Sequence, residues 1–144
     1  MKNKVSDNRF RGYGRKFSLI ALALMIGLSV AVIHASPAYA ACGGDIRIGT
    51  SVSGRITSGA CYYYFYGSAK QQVVITMRRS STSLDPYLKL HDPNGKFLAS
   101  DDDSGGQYDA RISYRLPYKG WYRITATSYD GKDKGSFTLS AVQP

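Results

Sequence analysis

An all-β sandwich is the fold that the sequence predicts after residue 40. No segment there has the 3.6-residue period of an amphipathic helix. Instead, short runs of alternating apolar and polar residues are separated by clusters of Gly, Pro, Asn, Asp and Ser. Alternation with a period of two is typical of strands that bury one face. Several such strands in series indicate two packed sheets.

Seven segments carry this alternation, and the fourth of them folds back on itself as a hairpin. That hairpin, "LDPYLKLHDPNGKFLAS", contains a tight turn at "DPNG", where Pro and the Asn-Gly pair suit the backbone geometry of a turn. The result is about eight strands, a usual number for two packed sheets. The segments span residues 45–56, 61–66, 71–79, 84–100, 110–117, 120–130 and 135–142. The apolar residues that recur on one face are Ile46, Ile48, Val73, Ile75, Met77, Leu88, Leu90, Ile112, Tyr114, Leu116, Tyr122, Ile124, Ala126, Phe137, Leu139 and Ala141.

The first 40 residues have the layout of a secretory signal peptide. Six basic residues precede the apolar run "FSLIALALMIGLSVAVI", and "HASPAYA" ends in the small residues Ala38 and Ala40. We therefore expect a Sec-type signal over 1–40, cleaved after Ala40, and a single domain over 41–144 that is secreted or periplasmic. No membrane contact is expected after cleavage. An uncleaved anchor is the alternative, because the apolar run is only slightly short for a bilayer span.

The charge that remains after residue 40 is mild. Thirteen of the 19 Lys and Arg residues and nine of the ten acidic residues lie there, so the net charge is +4 rather than +9. A basic stripe would be needed to argue for nucleic acid, and we expect no such partner. The length suits one domain with a modest core, which we expect to be a monomer.

Two cysteines follow the predicted signal, Cys42 and Cys61. An even pair in an exported chain indicates a disulfide, which would tie the new N-terminus to the "CYYYFY" segment. Acylation of Cys42, as in a lipoprotein, is disfavoured because Tyr39 stands where an aliphatic residue is usual.

The order "G-x-I…YYxF…VxIxM…LDPYLKLHDPNGKxLASDDD…ISYxLPxxGWYRI" resembles the bacterial pre-peptidase C-terminal domain, to which the collagen-binding domains of clostridial collagenases are related. The resemblance runs from about Gly49 to Val142. It implies a jelly-roll-like antiparallel β-sandwich with a non-catalytic role in binding, localisation or secretion. Two departures stand out. The family domain is normally an appendage of a peptidase, and Cys61 stands where the family often has an acidic residue.

Catalytic side chains are scarce after residue 40. The segment contains one histidine, His91, and no glutamate. A Ser-His-Asp arrangement would have to use His91, yet no nucleophile elbow accompanies it. Zinc would need three or four nitrogen or sulfur ligands, which one histidine and two bridged cysteines do not supply. We therefore expect no enzyme activity and no catalytic residues.

The stretch "SDDDSGG" is open to two interpretations. Calcium prefers six to eight oxygen ligands, and Asp101, Asp102 and Asp103 could supply carboxylates, with Asp85 and Asp109 completing the shell. The family resemblance implies calcium near such an acidic loop. The alternative is a solvated turn whose aspartates cap backbone amides. Calcium is thus the one cofactor that the sequence suggests.

A second feature is aromatic. The family pattern implies that Tyr63 and Phe65 enter the core, so that three neighbouring tyrosines point outward. The same period places two residues of the "GWYRI" strand outward. Exposed rings with an arginine can grip a sugar or an extended peptide. The alternative is cross-strand pairing that stabilises an exposed sheet. The residues of this predicted ligand face are Tyr62, Tyr64, Tyr66, Trp121 and Arg123.

Together these features predict a secreted, non-catalytic binding module, steadied by calcium, whose partner is an extracellular protein or polysaccharide. A different prediction is an accessory domain that assists the secretion, folding or localisation of a secreted peptidase.

Overall fold

The computed structural model describes residues 42–144, which form nine strands in two sheets. The predicted signal peptide over 1–40 lies outside these residues. Within the described range, no helix has the length and apolar character required to span a bilayer. The strands are β1 (Gly43–Asp45), β2 (Thr50–Ile56), β3 (Cys61–Gly67), β4 (Gln72–Arg79), β5 (Pro86–His91), β6 (Phe97–Asp101), β7 (Ala110–Arg115), β8 (Gly120–Ser128) and β9 (Gly135–Val142).

The all-β prediction is confirmed, with a difference at the start of the domain. One sheet has the order β1-β3-β8-β5-β6, and the other has the order β2-β9-β4-β7. The segment 45–56, predicted as one strand, is divided between the two sheets. Its first residue ends β1, which runs parallel to β3, while β2 runs antiparallel to β9. The sandwich is therefore not wholly antiparallel, because the chain crosses from one sheet to the other between residues 45 and 50.

Side chains from the facing sides of the two sheets form one apolar core. Phe65 stacks on Tyr122 within the first sheet, with ring centroids 5.4 Å apart. Tyr63 meets Phe137 of the opposite sheet edge-to-face at 6.3 Å. A Cβ atom at Gly54 would lie 2.5 Å from the Phe137 ring, so this strand position needs glycine to admit the aromatic pair. The rings that the alternation placed inward thus link the two sheets.

The predicted hairpin joins β5 to β6. A carboxylate oxygen of Asp92 accepts hydrogen bonds from the backbone N–H groups of Asn94 and Lys96, both at 2.9 Å. Gly95 has a φ of 80°, which suits glycine in a tight turn. The pairing register shifts at a bulge between Leu90 and His91. This bulge determines to which side of the sheet Phe97, the first residue of β6, points.

The disulfide prediction is confirmed by the bridge between Cys42 and Cys61, whose Cα atoms are 4.9 Å apart. Cys61 is fully buried in the core, whereas Cys42 is exposed just before β1. The bridge therefore fastens the short edge strand to the first residue of β3. A covalent tie is needed here, because three residues of parallel pairing give little stability on their own.

We predict that Cys42→Ala lowers the free energy of unfolding by about 3 kcal/mol, because the bridge closes a loop of 19 residues in the unfolded chain. Cys42 is exposed, so the substitution removes the bridge and leaves the buried Cys61 side chain in place. Urea unfolding would measure the change, and chemically reduced wild-type protein should match the variant. A loss below about 1 kcal/mol would show that the bridge does not stabilise the domain.

Candidate aromatic face and acidic corner

Three tyrosines of β3 form a row on the outer side of the five-stranded sheet. Their exposed fractions are 49% for Tyr62, 40% for Tyr64 and 48% for Tyr66, while the intervening Tyr63 and Phe65 are buried. The strand alternates because its odd-numbered residues pack against the opposite sheet. The outer side of this sheet is here named the aromatic face. It begins at Tyr62, Tyr64 and Tyr66 on β3 and extends across β8 and β5 to β6.

Strand β8 brings Trp121 and Arg123 beside these tyrosines. In the antiparallel register Tyr66 is opposite Trp121, and Tyr64 is opposite Arg123. The Tyr66 and Trp121 rings meet edge-to-face at 5.5 Å, and the Arg123 guanidinium lies 5.8 Å from the centre of the Tyr62 ring. Cross-strand pairing is therefore present. Trp121 nevertheless remains 52% exposed, so the paired rings still offer area to a ligand.

The aromatic face continues onto β5 and β6, which sequence reasoning did not include. His91 is opposite Arg123, and Phe97 packs edge-to-face on His91 at 5.8 Å while remaining 52% exposed. The outward position of His91 follows from the alternation that buries Leu88 and Leu90. The position of Phe97 depends on the bulge at His91, for which the sequence carries no clear signal.

Two polar atoms within the aromatic face have no hydrogen-bond partner. They are Nδ1 of His91 and Nε of Arg123, and both are buried by their neighbours. Burial holds the pKa of His91 below its ordinary value, the Arg123 and Lys89 charges lower it further, and Asp92 opposes them. A low pKa keeps the imidazole neutral at physiological pH. The centre of the face thus combines rings with an imidazole and a guanidinium, each of which has one buried nitrogen that makes no hydrogen bond.

A groove of about 360 Å³ lies at the β1 end of the aromatic face. It is bounded on one side by Tyr66 and Trp121 and on the other by the chain segment that crosses between the sheets. The first wall is aromatic, and the second carries apolar area and one charge of each sign. The lining residues are Asp45, Ile46, Arg47, Ile48, Tyr66 and Trp121.

The aspartates of the predicted calcium loop separate into two groups. Asp101 accepts hydrogen bonds from the Ser104 hydroxyl, from the Ser104 backbone N–H at 3.0 Å and from the Arg111 backbone N–H at 2.7 Å. Asp109 accepts one from the backbone N–H of Arg79 at 3.0 Å. These two carboxylates hold the loop in shape, as the turn interpretation expects.

Asp85 is surrounded by acids instead. Burial raises its pKa, as do the charges of Asp103, Asp133 and Asp102, against a smaller effect of Arg79. Its Oδ1 atom is buried without a hydrogen-bond partner. Asp133 does not follow from the sequence as a neighbour of Asp85, because only the fold brings the two residues to the same cavity. We name Asp85, Asp102, Asp103 and Asp133 the acidic corner.

The acidic corner borders a cavity of about 330 Å³ that Asp85 and Asp133 line together with Tyr108. Within residues 42–144, no three His, Cys, Asp or Glu side chains are already arranged as a metal-binding group. An ion that bound here would therefore require side-chain rotation, which the partly exposed loop allows. Three of the five predicted ligands, Asp85, Asp102 and Asp103, belong to the acidic corner, because the charges of Asp102 and Asp103 act on Asp85. The other two, Asp101 and Asp109, accept hydrogen bonds from backbone N–H groups instead.

Comparison with known proteins agrees with this architecture. The family model of the bacterial pre-peptidase C-terminal domain matches residues 60–128, from the residue before β3 to the end of β8. Residues 60–128 are thus similar to this family. The match includes the aromatic face of β3 and β8, the β5–β6 hairpin and the loop that contains Asp101–Asp103. The family resemblance deduced from the sequence is therefore confirmed.

Two solved structures show the same fold. One is the pre-peptidase C-terminal domain of a collagenase from Bacillus anthracis, with 17% identity and a TM-score of 0.57, covering 69% of this chain and 93% of that one. The other is CorA, a surface-associated copper-binding protein of Methylomicrobium album BG8, with 10% identity and a TM-score of 0.56, covering 71% and 98%. None of the curated proteins matches the sequence.

We predict that Asp85→Asn is more stable than wild type. The difference in their free energies of unfolding should grow as the pH rises above the ordinary aspartate pKa of 3.8. Because the pKa of Asp85 is raised, the folded protein holds the carboxyl proton more tightly than the unfolded chain does. Wild-type stability therefore falls as the pH rises from the ordinary pKa to the raised one. Thermal unfolding from pH 3.5 to 7 in chelator would measure the difference. Asp45→Asn, on the exposed β1, is the matched control. A difference that stayed flat or shrank with rising pH would contradict the prediction.

Proposed function

We propose that this protein is an exported, non-catalytic binding module that holds an extracellular polymer against its aromatic face. The observation that carries the proposal is the row of half-exposed rings on adjacent strands, Tyr62, Tyr64 and Tyr66 on β3 with Trp121 on β8. The disulfide supports export, since such bonds persist in oxidising compartments. The match of residues 60–128 to the model of the pre-peptidase C-terminal family supports a role as a non-catalytic module.

The geometry of the aromatic face suits an extended ligand. Neighbouring strands lie about 4.8 Å apart and same-face residues about 6.7 Å apart along a strand, so one chain laid across the face would meet several rings. Tyr and Trp give large contact areas with little loss of side-chain entropy. Arg123 and His91, both partly exposed, add polar groups at the centre. A fibrous protein or a polysaccharide offers a repeating, extended surface of this kind.

We predict that Tyr64→Ala combined with Trp121→Ala weakens retention on the insoluble polymer by at least about tenfold. Both side chains are about half exposed, so the free energy of unfolding should fall by no more than about 1 kcal/mol. Co-sedimentation with collagen fibrils and with chitin would measure retention of the full chain, and urea unfolding would measure stability.

Tyr118→Ala is the matched control for this experiment, because Tyr118 is 54% exposed but lies in the loop before β8. It should leave retention unchanged. If the double variant bound as the wild type does, the aromatic face would not be the binding surface. If it unfolded instead, the rings would be cross-strand supports of the sheet.

The alternative function is that of an accessory domain that docks on a secreted peptidase. The domain of the Bacillus anthracis collagenase, which has the same fold, favours this candidate. A polymer binder is retained on insoluble matrix when it is pure. An accessory domain would be retained only when its peptidase is present, and co-purification from the secreted proteins of the same cells would reveal it.

We further propose that calcium binds at the acidic corner and steadies the loop after β6. The carboxylates of Asp85, Asp102, Asp103 and Asp133 would supply oxygen ligands, which calcium prefers. The raised pKa of Asp85 and its unpartnered Oδ1 support this, because a cation would relieve both the charge repulsion and the missing contact. Asp101 and Asp109 shape the loop from outside the ligand set.

We predict that calcium at a hundred times its dissociation constant raises the free energy of unfolding by about 2.7 kcal/mol over that in chelator. Thermal unfolding of the full chain would detect the rise. Asp102→Asn combined with Asp103→Asn should abolish the response, whereas Asp45→Asn should preserve it. An equal response in the double variant would exclude the acidic corner as the site, and no response in wild type would leave a solvated turn.

A further inference from the structure

The outer side of the four-stranded sheet differs from the aromatic face in its chemistry. The four strands β2, β4, β7 and β9 contain five arginines but no lysine and no acidic residue. Four of the arginines, Arg55, Arg78, Arg111 and Arg115, occupy outward positions in the alternation. Most of the other outward positions carry hydroxyls. The outward side chains of these four strands are here named the arginine face.

The pairing register arranges these side chains in rows. In one row, Ser51, Ser140 and Thr76 lead across three strands to Arg111 on the edge strand β7. In the next row, Ser53 and Thr138 lead to Arg78. Because adjacent strands lie about 4.8 Å apart, each row is a strip of hydroxyls that ends in a guanidinium. The rows lie about 6.7 Å apart along the strands.

The guanidinium groups are accessible. Arg111 and Arg115 are exposed, and no ion pair involves either of them within residues 42–144. Arg78 is 75% exposed, and its nearest carboxylate is that of Asp109, 3.9 Å away at the border of the face. Arg55 lies toward the other edge and donates a hydrogen bond to the Ser136 hydroxyl at 3.4 Å. Arg111, Arg115 and the mostly exposed Arg78 therefore present positive charge that the described part of the domain leaves largely unneutralised.

The use of arginine rather than lysine is informative. The six lysines of the described range all lie outside these four strands. Protection of a sheet edge against aggregation needs only charge, and lysine commonly supplies it. Arginine offers a planar fork of donors that binds carboxylate, sulfate or phosphate through two parallel hydrogen bonds. The composition of this face thus favours recognition of anions over general solubility.

We propose that the arginine face binds an anionic polysaccharide. The guanidinium groups of Arg78, Arg111 and Arg115 contact its sulfate or carboxylate groups, and the Ser and Thr rows hydrogen-bond to its hydroxyls. None of the outward positions on these four strands is aromatic, so the face lacks the rings on which nucleic-acid bases stack. This favours a polysaccharide over a nucleic acid. The surface is separate from the aromatic face, and the proposal does not depend on the function proposed for it.

The test uses the full chain and the probe dextran sulfate, with uncharged dextran of the same length for comparison. Affinity electrophoresis should show retention by dextran sulfate only, decreasing with added salt because exposed charges are screened. Arg111→Gln combined with Arg115→Gln should weaken retention about tenfold. Both positions are exposed on an edge strand, and a thermal unfolding curve would confirm that the variant is folded.

Three comparisons make the test decisive. Arg111→Lys combined with Arg115→Lys preserves charge but not the paired donors, and should weaken retention by about threefold or more. Lys119→Gln combined with Lys132→Gln makes the same change in charge elsewhere and should leave retention unchanged. Tyr64→Ala combined with Trp121→Ala should also leave retention unchanged. A result against the arginine face can therefore be distinguished from a result against the aromatic face as a binding surface.

Two outcomes would overturn the proposal. If the variant with Arg111→Lys and Arg115→Lys bound dextran sulfate as the wild type does, only net charge would matter. The same would follow if the variant with Lys119→Gln and Lys132→Gln lost as much retention as the variant with Arg111→Gln and Arg115→Gln. If a single-stranded oligonucleotide of equal charge displaced dextran sulfate as effectively as free dextran sulfate does, the face would be a general polyanion surface rather than a polysaccharide site.

Discussion

The pairing of β3 with β8 determines the arrangement of the aromatic face. Phe65 and Tyr122 face each other in this register and stack in the core. Burial of these two large rings stabilises the native register by several kcal/mol, since a shift of one residue would expose both. With the inner residues fixed, the intervening Tyr64 and Tyr66 can only point outward, opposite Arg123 and Trp121. The exposed rings are therefore positioned by the buried ones.

The sandwich separates two kinds of surface. Each sheet gives one face to the shared core, and the remaining faces look in opposite directions, so they are free to differ. The outward rings lie on the five-stranded sheet, and the outward arginines of the paired rows lie on the four-stranded sheet. The acids avoid the latter sheet altogether and occupy β1, β6 and the loops. A net charge of +4 after residue 40 hides this asymmetry, because the loop acids offset the arginines in the sum.

Much of the fold follows from the sequence because burial on one face imposes a period of two. The inward residues of β4, β8 and β9, such as Ile75, Ile124 and Leu139, were all predicted from that period and are buried. Two features did not follow. The crossing between β1 and β2 depends on pairing with two different sheets and on the Cys42–Cys61 bridge. The outward position of Phe97 depends on a bulge that no local residue signals.

The acidic corner shows a different limit of sequence reasoning. Proximity in the chain suggested that Asp101 and Asp109 belonged with Asp102 and Asp103. The first two accept hydrogen bonds from backbone N–H groups that are distant in the chain, whereas Asp102 accepts one from its neighbour Asp103. A carboxylate that already accepts such bonds is less available to an ion, because binding would require those N–H groups to find other partners. Asp85 has the opposite situation, with a buried oxygen that lacks a partner and like charges around it. Unmet interactions, rather than the density of acids along the chain, are therefore the better guide to where a cation would stabilise this fold.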